Sequence, residues 1–324
     1  MRVLVIGGTA FIGRRTVSDL LKRGDKVTLF HRGHHPNPFG GGVHELIGDR
    51  QNPQDLSRAL AGRTFDGVID IAYDAERGTG ADAISLVASE VRRFHPRYVF
   101  VSSVAVYDES GIGVTEDAHR GGPIGSYGMN KVQAEDQLMT EHRAGHLTAS
   151  IVRPSYVHGP FNPIPREAWF WDRILAGRPV ILPDGGQTLI QWSAVRDVAW
   201  SLTECLTNPA AVGEAFNIAE AEPASHAEFV QRLAKVAGRT AETVAISRTK
   251  LKEMGASTRS PNAYFGVGLD SGFDETLKVD KARRLLGFQP TDPIEGLKEA
   301  FDWYSNQPAR PQPDFAFERA LWGK

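Results

Sequence analysis

Val5-Ile6-Gly7-Gly8-Thr9-Ala10-Phe11-Ile12-Gly13 decides the fold. It joins a run of apolar residues, Val3–Ile6, to a helical pattern in which Ile12, Thr16, Val17, Leu20 and Leu21 recur at helical spacing. Gly7 permits a tight turn, the small residues Thr9 and Ala10 let backbone approach a pyrophosphate, and Gly13 lets helix pack on strand. The helix start at Phe11 and Ile12 then offers unpaired N–H groups and a positive dipole end to phosphates. Ala10 stands where a third glycine is more usual, so its methyl takes some of that space. The segment reads as a dinucleotide-binding turn.

The same rhythm continues outward. Val27–Phe30, Leu46–Ile47, Val68–Ala72, Tyr98–Ser102, Ser150–Arg153 and Ala215–Ile218 read as strands, and about 126–142 as a long helix. The apolar runs are continuous, as in strands covered on both faces. Alternation of strands with helices predicts an α/β fold, a Rossmann-type doubly wound parallel sheet. After residue 156 the texture changes: Gly159–Arg166 is proline-rich and Pro183-Asp184-Gly185-Gly186 is a turn signal. The expected organisation is a nucleotide-binding domain from 1–156 plus about 187–220. A smaller mixed α/β substrate lobe takes 157–186 plus about 221–305. A proline-rich tail, 306–324, docks on the body or on a neighbouring subunit.

Composition narrows the function. The 324 residues are 41% hydrophobic and 23% charged, with a formal net charge of −2. There is no basic excess to draw nucleic acid or an anionic membrane surface. No apolar run approaches the ~20 residues of a membrane span, and the N-terminal strand is too short for a signal peptide. Cys205 is the single cysteine, which removes disulfides and cysteine metal clusters and fits a reducing cytoplasm. It sits between Leu202 and Leu206 and reads as a core residue. His34-His35 lacks the further ligands a metal site needs, so no metal is expected. No Gly-x-Ser-x-Gly elbow supports a serine hydrolase.

The second strand ends Phe30-His31-Arg32-Gly33. A carboxylate that would hold a ribose 2′-hydroxyl is missing there, and the Arg32 guanidinium, with His31, suits a 2′-phosphate. NADP is therefore favoured, with NAD still open. Asp49, after the third strand, is read either as a partner of the adenine amino group or as the cap of the helix after Pro53.

Tyr127-Gly128-Met129-Asn130-Lys131 supplies the chemistry. Residues four apart share a helix face, and an ammonium near a phenol lowers the phenol pKa. Such a tyrosine exchanges a proton with an alcohol or carbonyl while hydride moves to or from a nicotinamide. Ser103, in Phe100-Val101-Ser102-Ser103-Val104-Ala105-Val106-Tyr107, lies at the C-terminal end of a strand, where open α/β sheets bind ligands. Ser103, Tyr127 and Lys131 are the expected catalytic trio.

With these segments the chain resembles the NAD-dependent epimerase/dehydratase family, the extended short-chain dehydrogenase/reductases, over nearly its whole length. Further matching stretches are Val152-Arg153-Pro154, Gly159-Pro160, Val195-Arg196-Asp197-Val198-Ala199, Phe216-Asn217-Ile218 and Leu285-Leu286-Gly287-Phe288. The resemblance implies the catalytic roles above and a nicotinamide half bounded by Ala72, Tyr73, Lys131, Pro154 and Val157. It also implies a homodimer, through two long helices including the one that carries Tyr127. Departures stand out: Tyr156 replaces the usual Asn, His158 the usual tyrosine, and Ile190 the arginine that grips a diphosphate. Arg166, Arg173, Arg178 and Arg259 are the candidates to replace that arginine. Ser102, Tyr156, His158 and Trp169 are expected toward the substrate, with packing the competing role for Trp169 and His158.

The function expected is hydride transfer at a secondary alcohol or ketone of a sugar-like or nucleotide-sugar small molecule. An NADPH-dependent carbonyl reductase of a small metabolite is the first alternative. A non-catalytic dinucleotide sensor or RNA-binding protein is the second.

Overall fold

The computed structural model describes residues 1–108, 111–256, 274–308, 310 and 312–322. The first half runs β1 (Arg2–Ile6), α1 (Phe11–Lys22), β2 (Lys26–His31), β3 (His44–Ile47), α2 (Pro53–Leu60), β4 (Gly67–Asp70), α3 (Ala81–Val91), β5 (Arg97–Val101), α4 (Tyr127–Arg143) and β6 (Thr148–Pro154). Then come β7 (Tyr156–His158), α5 (Arg166–Leu175), β8 (Val180–Pro183), β9 (Leu189–Ile190), β10 (Trp192–Ala194), α6 (Val195–Cys205) and β11 (Ala215–Ile218). The last part holds β12 (Ala224–Ser225), α7 (His226–Val236), β13 (Thr243–Ile246), α8 (Arg248–Glu253), α9 (Asp280–Leu286), α10 (Pro293–Ser305) and α11 (Ala316–Trp322).

Seven strands form one sheet in the order β11-β6-β5-β4-β1-β2-β3, every pair parallel. Strand order reverses between β1 and β4, which opens a crevice at their C-terminal ends. Val3, Leu4, Val5, Ile6, Val68 and Ile69 are all buried, as a sheet covered on both faces requires. One apolar cluster packs α1 and α6 against the sheet through Val17, Leu20, Val198, Leu202 and Cys205. The other packs α2, α3 and α4 through Leu56, Leu60, Ile84, Val87 and Leu138. Burial pushes the Cys205 thiol pKa up, which leaves it an inert core group.

A third cluster joins α5, β8, α7 and α10 through Trp169, Phe170, Trp171, Ile181, Phe229 and Leu297. Two stretches fall on the opposite side from the sequence reading. Ile190 and Trp192 belong to this third core, while Val279, Ala282, Leu286 and Phe288 pack on the sheet side. The tail closes over the third core: Phe317, Leu321 and Trp322 rest on it, and Glu318 pairs with Arg173 at 2.5 Å.

The helix that carries Tyr127 is fixed by a buried ion pair. Ser126 caps α4 by accepting the Met129 N–H at 3.1 Å. Two turns on, Glu135 receives both arms of Arg153 from β6, at 2.9 and 2.7 Å, and Arg120 adds a third bond at 2.8 Å. Glu135 and Arg153 are almost fully buried. Removing one partner strands a charge out of water, so Glu135→Ala is expected to cost about 3–5 kcal/mol in urea unfolding. A loss below 1 kcal/mol would show that water reaches Arg153.

Candidate active site

The glycine turn sits at the end of β1, beside the crevice. Gly7 and Gly8 take φ of +96° and +111°, which disfavours any residue with a side chain. A Cβ on Gly13 would lie 2.5 Å from Gly8 Cα, so α1 starts against the turn itself. Ala10 has φ −134° and ψ 154°, extended backbone open to any residue, so its methyl imposes no strain. No side chain caps α1 and its first turn holds no acid. Its N–H groups and positive end therefore stand ready for an anion.

A cavity of about 170 Å³ lies next to this turn, lined by Gly7, Thr9, His31, Arg32, Asp49 and Tyr73 among others. The residues read as the adenosine end are thus together, but each is already engaged. His31 Nδ1 accepts the Gly33 N–H at 3.2 Å, which leaves Nε2 to donate to Glu45 at 2.9 Å. Arg32 pairs with Asp74 at 2.9 Å. Asp49 pairs with Arg77 at 2.6 Å and accepts the Gln51 N–H. The cap of α2 is Asn52, not Asp49. Arg50, also in the cavity wall, pairs with Asp70, whose other oxygen accepts the Tyr98 hydroxyl at 2.6 Å. These residues fit a nicotinamide dinucleotide: a cradle that a Cβ would fill, an uncapped helix start, and cations and carboxylates at the ribose end.

The three residues expected to be catalytic, Ser103, Tyr127 and Lys131, converge at the end of β5. Ser103 follows that strand and its Oγ accepts the Ala105 N–H at 3.2 Å. α4 comes so close that a Cβ on Gly128 would lie 2.0 Å from the Ala105 carbonyl oxygen. That approach brings the Tyr127 phenol beside the Ser103 hydroxyl, which favours the ionised phenol. Tyr73 packs edge-on against the Tyr127 ring, centroids 4.7 Å apart. Lys131 is 2% exposed and donates to the Val101 carbonyl at 2.7 Å. Its ammonium lies 4.6 Å from the Phe100 ring centroid, 5.3 Å from Tyr73 and 5.9 Å from Tyr127. Burial lowers its pKa to about 8.

One expectation reverses. The tyrosine pKa is raised, not lowered: desolvation around the phenol outweighs the neighbouring Ser103 hydroxyl and the charge of Arg166. Tyr127, a residue 41% exposed, is thus a phenol at neutral pH.

The expected substrate residues separate. Ser102 is buried with its Oγ unpartnered among the described residues. The Tyr156 hydroxyl donates to Glu275 at 2.6 Å. His158 is buried in β7 with Glu220 3.7 Å away, and neither ring nitrogen has a hydrogen bond among the described residues. Trp169 is 3% exposed in the third core, under the Arg173 guanidinium at 3.6 Å, so packing is its role. Pro154 ends β6 and Val157 lies in β7; both are buried. Arg173 is spent on Glu318 and Arg178 stacks on Phe315 at 4.2 Å, while Arg259 lies outside the described residues. Arg166 remains beside the trio, over the Tyr156 ring at 5.9 Å. Among the described residues no cluster of three or more His, Cys, Asp or Glu is placed to hold a metal. Asp74, Arg77, Asp70 and Arg50 are not legible as site residues, because the contacts that place them, Asp74 with Arg32, Arg77 with Asp49 and Arg50 with Asp70, span 42, 28 and 20 residues. Gly128 was legible: a glycine inside a helix signals close approach. Gly13→Ala is expected to weaken dinucleotide binding at least roughly tenfold in calorimetry, since the turn must shift to admit the methyl. Unchanged affinity would mean that the turn does not hold phosphate.

Comparison with known proteins agrees with this geometry. The model of the NAD dependent epimerase/dehydratase family matches residues 3–219. The chloroplast stem-loop binding protein of 41 kDa b from Arabidopsis thaliana is 27% identical over 340 residues, spanning 100% of this chain and 84% of that protein. The UDP-glucose 4-epimerase of Vibrio cholerae is 26% identical, over 72% of this chain and 74% of the enzyme. The structure of UDP-glucose 4-epimerase from Thermotoga maritima superposes with a TM-score of 0.77 at 18% identity, covering 94% of this chain and 99% of that one, which is a likeness of fold. Among the described residues no helix is long and apolar enough to cross a membrane. Sheet order, glycine turn and family model lead to one conclusion: the chain belongs to the NAD dependent epimerase/dehydratase family and is an NAD(P)-dependent enzyme.

Proposed function

We propose that this enzyme carries out oxidation and reduction at a secondary alcohol or ketone of a sugar-like substrate, with nucleotide sugars the first class to test. The observation that carries the reading is the convergence of Ser103 and Tyr127 at the end of β5, beside the buried Lys131 ammonium. A bound nicotinamide cofactor would supply the hydride acceptor or donor. Gly7, Thr9, Gly13 and the start of α1 would hold its pyrophosphate, His31, Arg32 and Asp49 its adenosine end. Ala72, Tyr73, Lys131, Pro154 and Val157 would bound the nicotinamide end. NADP is proposed ahead of NAD, on the missing carboxylate at position 31 and the guanidinium that follows it.

Ser103 Oγ orients the reacting oxygen of the substrate. Tyr127 Oη holds a proton at neutral pH, so in the reducing direction it delivers that proton to the substrate oxygen. In the oxidising direction it must first give the proton up, and the nearby positive charges of Lys131 and Arg166 favour that loss. Names of relatives point to substrates on either side of this reading: UDP-glucose 4-epimerase supports a nucleotide sugar, and 2-alkyl-3-oxoalkanoate reductase of Stenotrophomonas maltophilia (26% identical, 79% of this chain) a small ketone. A cytoplasmic homodimer built on the outer face of α3 and α4 completes the proposal.

The test follows nicotinamide absorbance over a panel of nucleotide sugars and small ketones, after any co-purified cofactor has been identified by mass spectrometry. Tyr127→Phe is expected to lose roughly 10²–10⁴-fold in kcat while cofactor affinity stays unchanged. Full turnover by that variant overturns the reading, as does stem-loop RNA binding at physiological salt with no turnover on the panel. The Lys131 charge is present below about pH 8 and lost above it. With an active substrate, kcat/KM is therefore expected to fall as pH rises through 8; a profile flat from neutrality into the alkaline range would contradict that role.

A further inference from the structure

The loop between β4 and α3 carries a charge arrangement that the catalytic reading does not use. Asp74 lies in the wall of the dinucleotide cavity, and its side chain is 8% exposed. Its Oδ1 accepts the backbone N–H groups of Glu76 and Arg77, at 3.0 and 2.9 Å. Its Oδ2 gathers three cationic donors: Arg32 Nη1 at 2.9 Å, and Arg77 Nε and Nη2 at 2.9 and 2.7 Å. Arg77 reaches on to Asp49, so it straps the loop after β4 to the loop after β3. The two backbone bonds and Arg77 hold the Asp74 pKa at about 2, so it stays charged.

Two guanidiniums converging on one oxygen make the donor geometry that a phosphate monoester wants. Arg32 and Arg77 are each close to half exposed, while the carboxylate between them is buried. The local charges cancel: Arg32 and Arg77 against Asp49 and Asp74. A 2′-phosphate, carrying nearly two negative charges, would have to take guanidinium donors from a carboxylate already in place.

We propose that Arg32, Asp74 and Arg77 form the selector for the cofactor's 2′-phosphate, with Arg77 as a second phosphate-binding guanidinium and Asp74 as an internal anion competing for the same donors. This rests on the assignment of the cavity to the adenosine end of NAD(P) and deepens it. Arg77 is the partner of Arg32 in recognition, and Asp74 sets how far selectivity leans. Asparagine in place of Asp74 keeps an acceptor for the two backbone N–H groups and removes both the competing charge and the oxygen that receives the guanidiniums.

The experiment measures adenosine 2′,5′-bisphosphate and adenosine 5′-monophosphate binding by calorimetry on the full chain, with no nicotinamide and no turnover involved. The readout is the ratio of the two dissociation constants. Asp74→Asn is expected to shift the ratio toward the bisphosphate by roughly tenfold, and Arg77→Gln away from it by a similar factor. Arg77→Lys, which keeps the charge and loses the fork, is expected to fall between. Thermal melting checks each variant for folding. If Asp74→Asn unfolds, the two Arg77 variants still decide, since that side chain is half exposed. Ratios unmoved by the Arg77 variants overturn the inference, whatever the wild type prefers. A wild type that favours the monophosphate while the variants shift the ratio as stated would sink the NADP preference and leave the selector standing. A wild type that binds neither ligand would overturn both.

Discussion

The site proposed for catalysis depends on how closely α4 can lie against the end of β5. Three residues on one face of that helix set the distance. At Gly128 the absence of a side chain lets the helix meet the Ala105 carbonyl. At Lys131 the ammonium reaches past the strand end to the Val101 carbonyl. At Glu135 the carboxylate clasps Arg153 from the next strand. Spacings of three and four residues keep these contacts on a single stripe. Tyr127 is at the start of that stripe, so its position follows from contacts it does not itself make. Ser103 is fixed independently, by the turn that follows β5, and the two hydroxyls meet because the helix is held against that turn.

The same region concentrates charge out of water. Arg50 with Asp70 on one side, and Glu135 with Arg153 on the other, are matched pairs, while among the described residues Lys131 between them contacts a carbonyl and aromatic rings. Desolvation alone would drive a buried lysine further down, and Asp70 and Glu135 pull its pKa back up. The site thus keeps an ammonium near neutrality without giving it a carboxylate that would cancel its field at the phenol. Tyr127 goes the other way because its phenol is desolvated and Lys131 makes no hydrogen bond to it. The simple reading, that a lysine one turn on brings the tyrosine pKa below its ordinary value, fails because a charge 5.9 Å from the ring does not offset the desolvation of the phenol.

Much of this was legible in the sequence. Strands read as continuous apolar runs because the sheet is covered on both faces, and the turn after β1 carries glycines where positive φ demands them. The run at Val68–Ala72 reads two residues too far, because Ile71 and Ala72 both turn their N–H groups to the Ile6 carbonyl and curl toward Gly7. The helix at Ala81–Val91 has no counterpart in the reading, although Ile84, Val87 and Val91 recur at helical spacing; the glycines at 78 and 80 mask its start. Roles at the adenosine end were the least legible. Arg32 looks free in a loop, and only the fold shows Asp74, 42 residues on, holding it. Trp169 reads as either a packing or a pocket residue, and only the fold shows that the third core covers it.

The pairing of Arg173 with Glu318 has a consequence for how the chain is made. The partners are 145 residues apart, and the guanidinium lies under the last helix described, against the Trp169 ring. At ribosomal rates of roughly 5–20 residues per second, Arg173 leaves the exit tunnel roughly 7–30 s before Glu318 does. The sheet, whose strands are complete by residue 218, can assemble in that interval, whereas the third core must wait with an unneutralised cation at its edge. Nascent chains of this protein should therefore offer chaperones a half-built second lobe on a finished nucleotide fold.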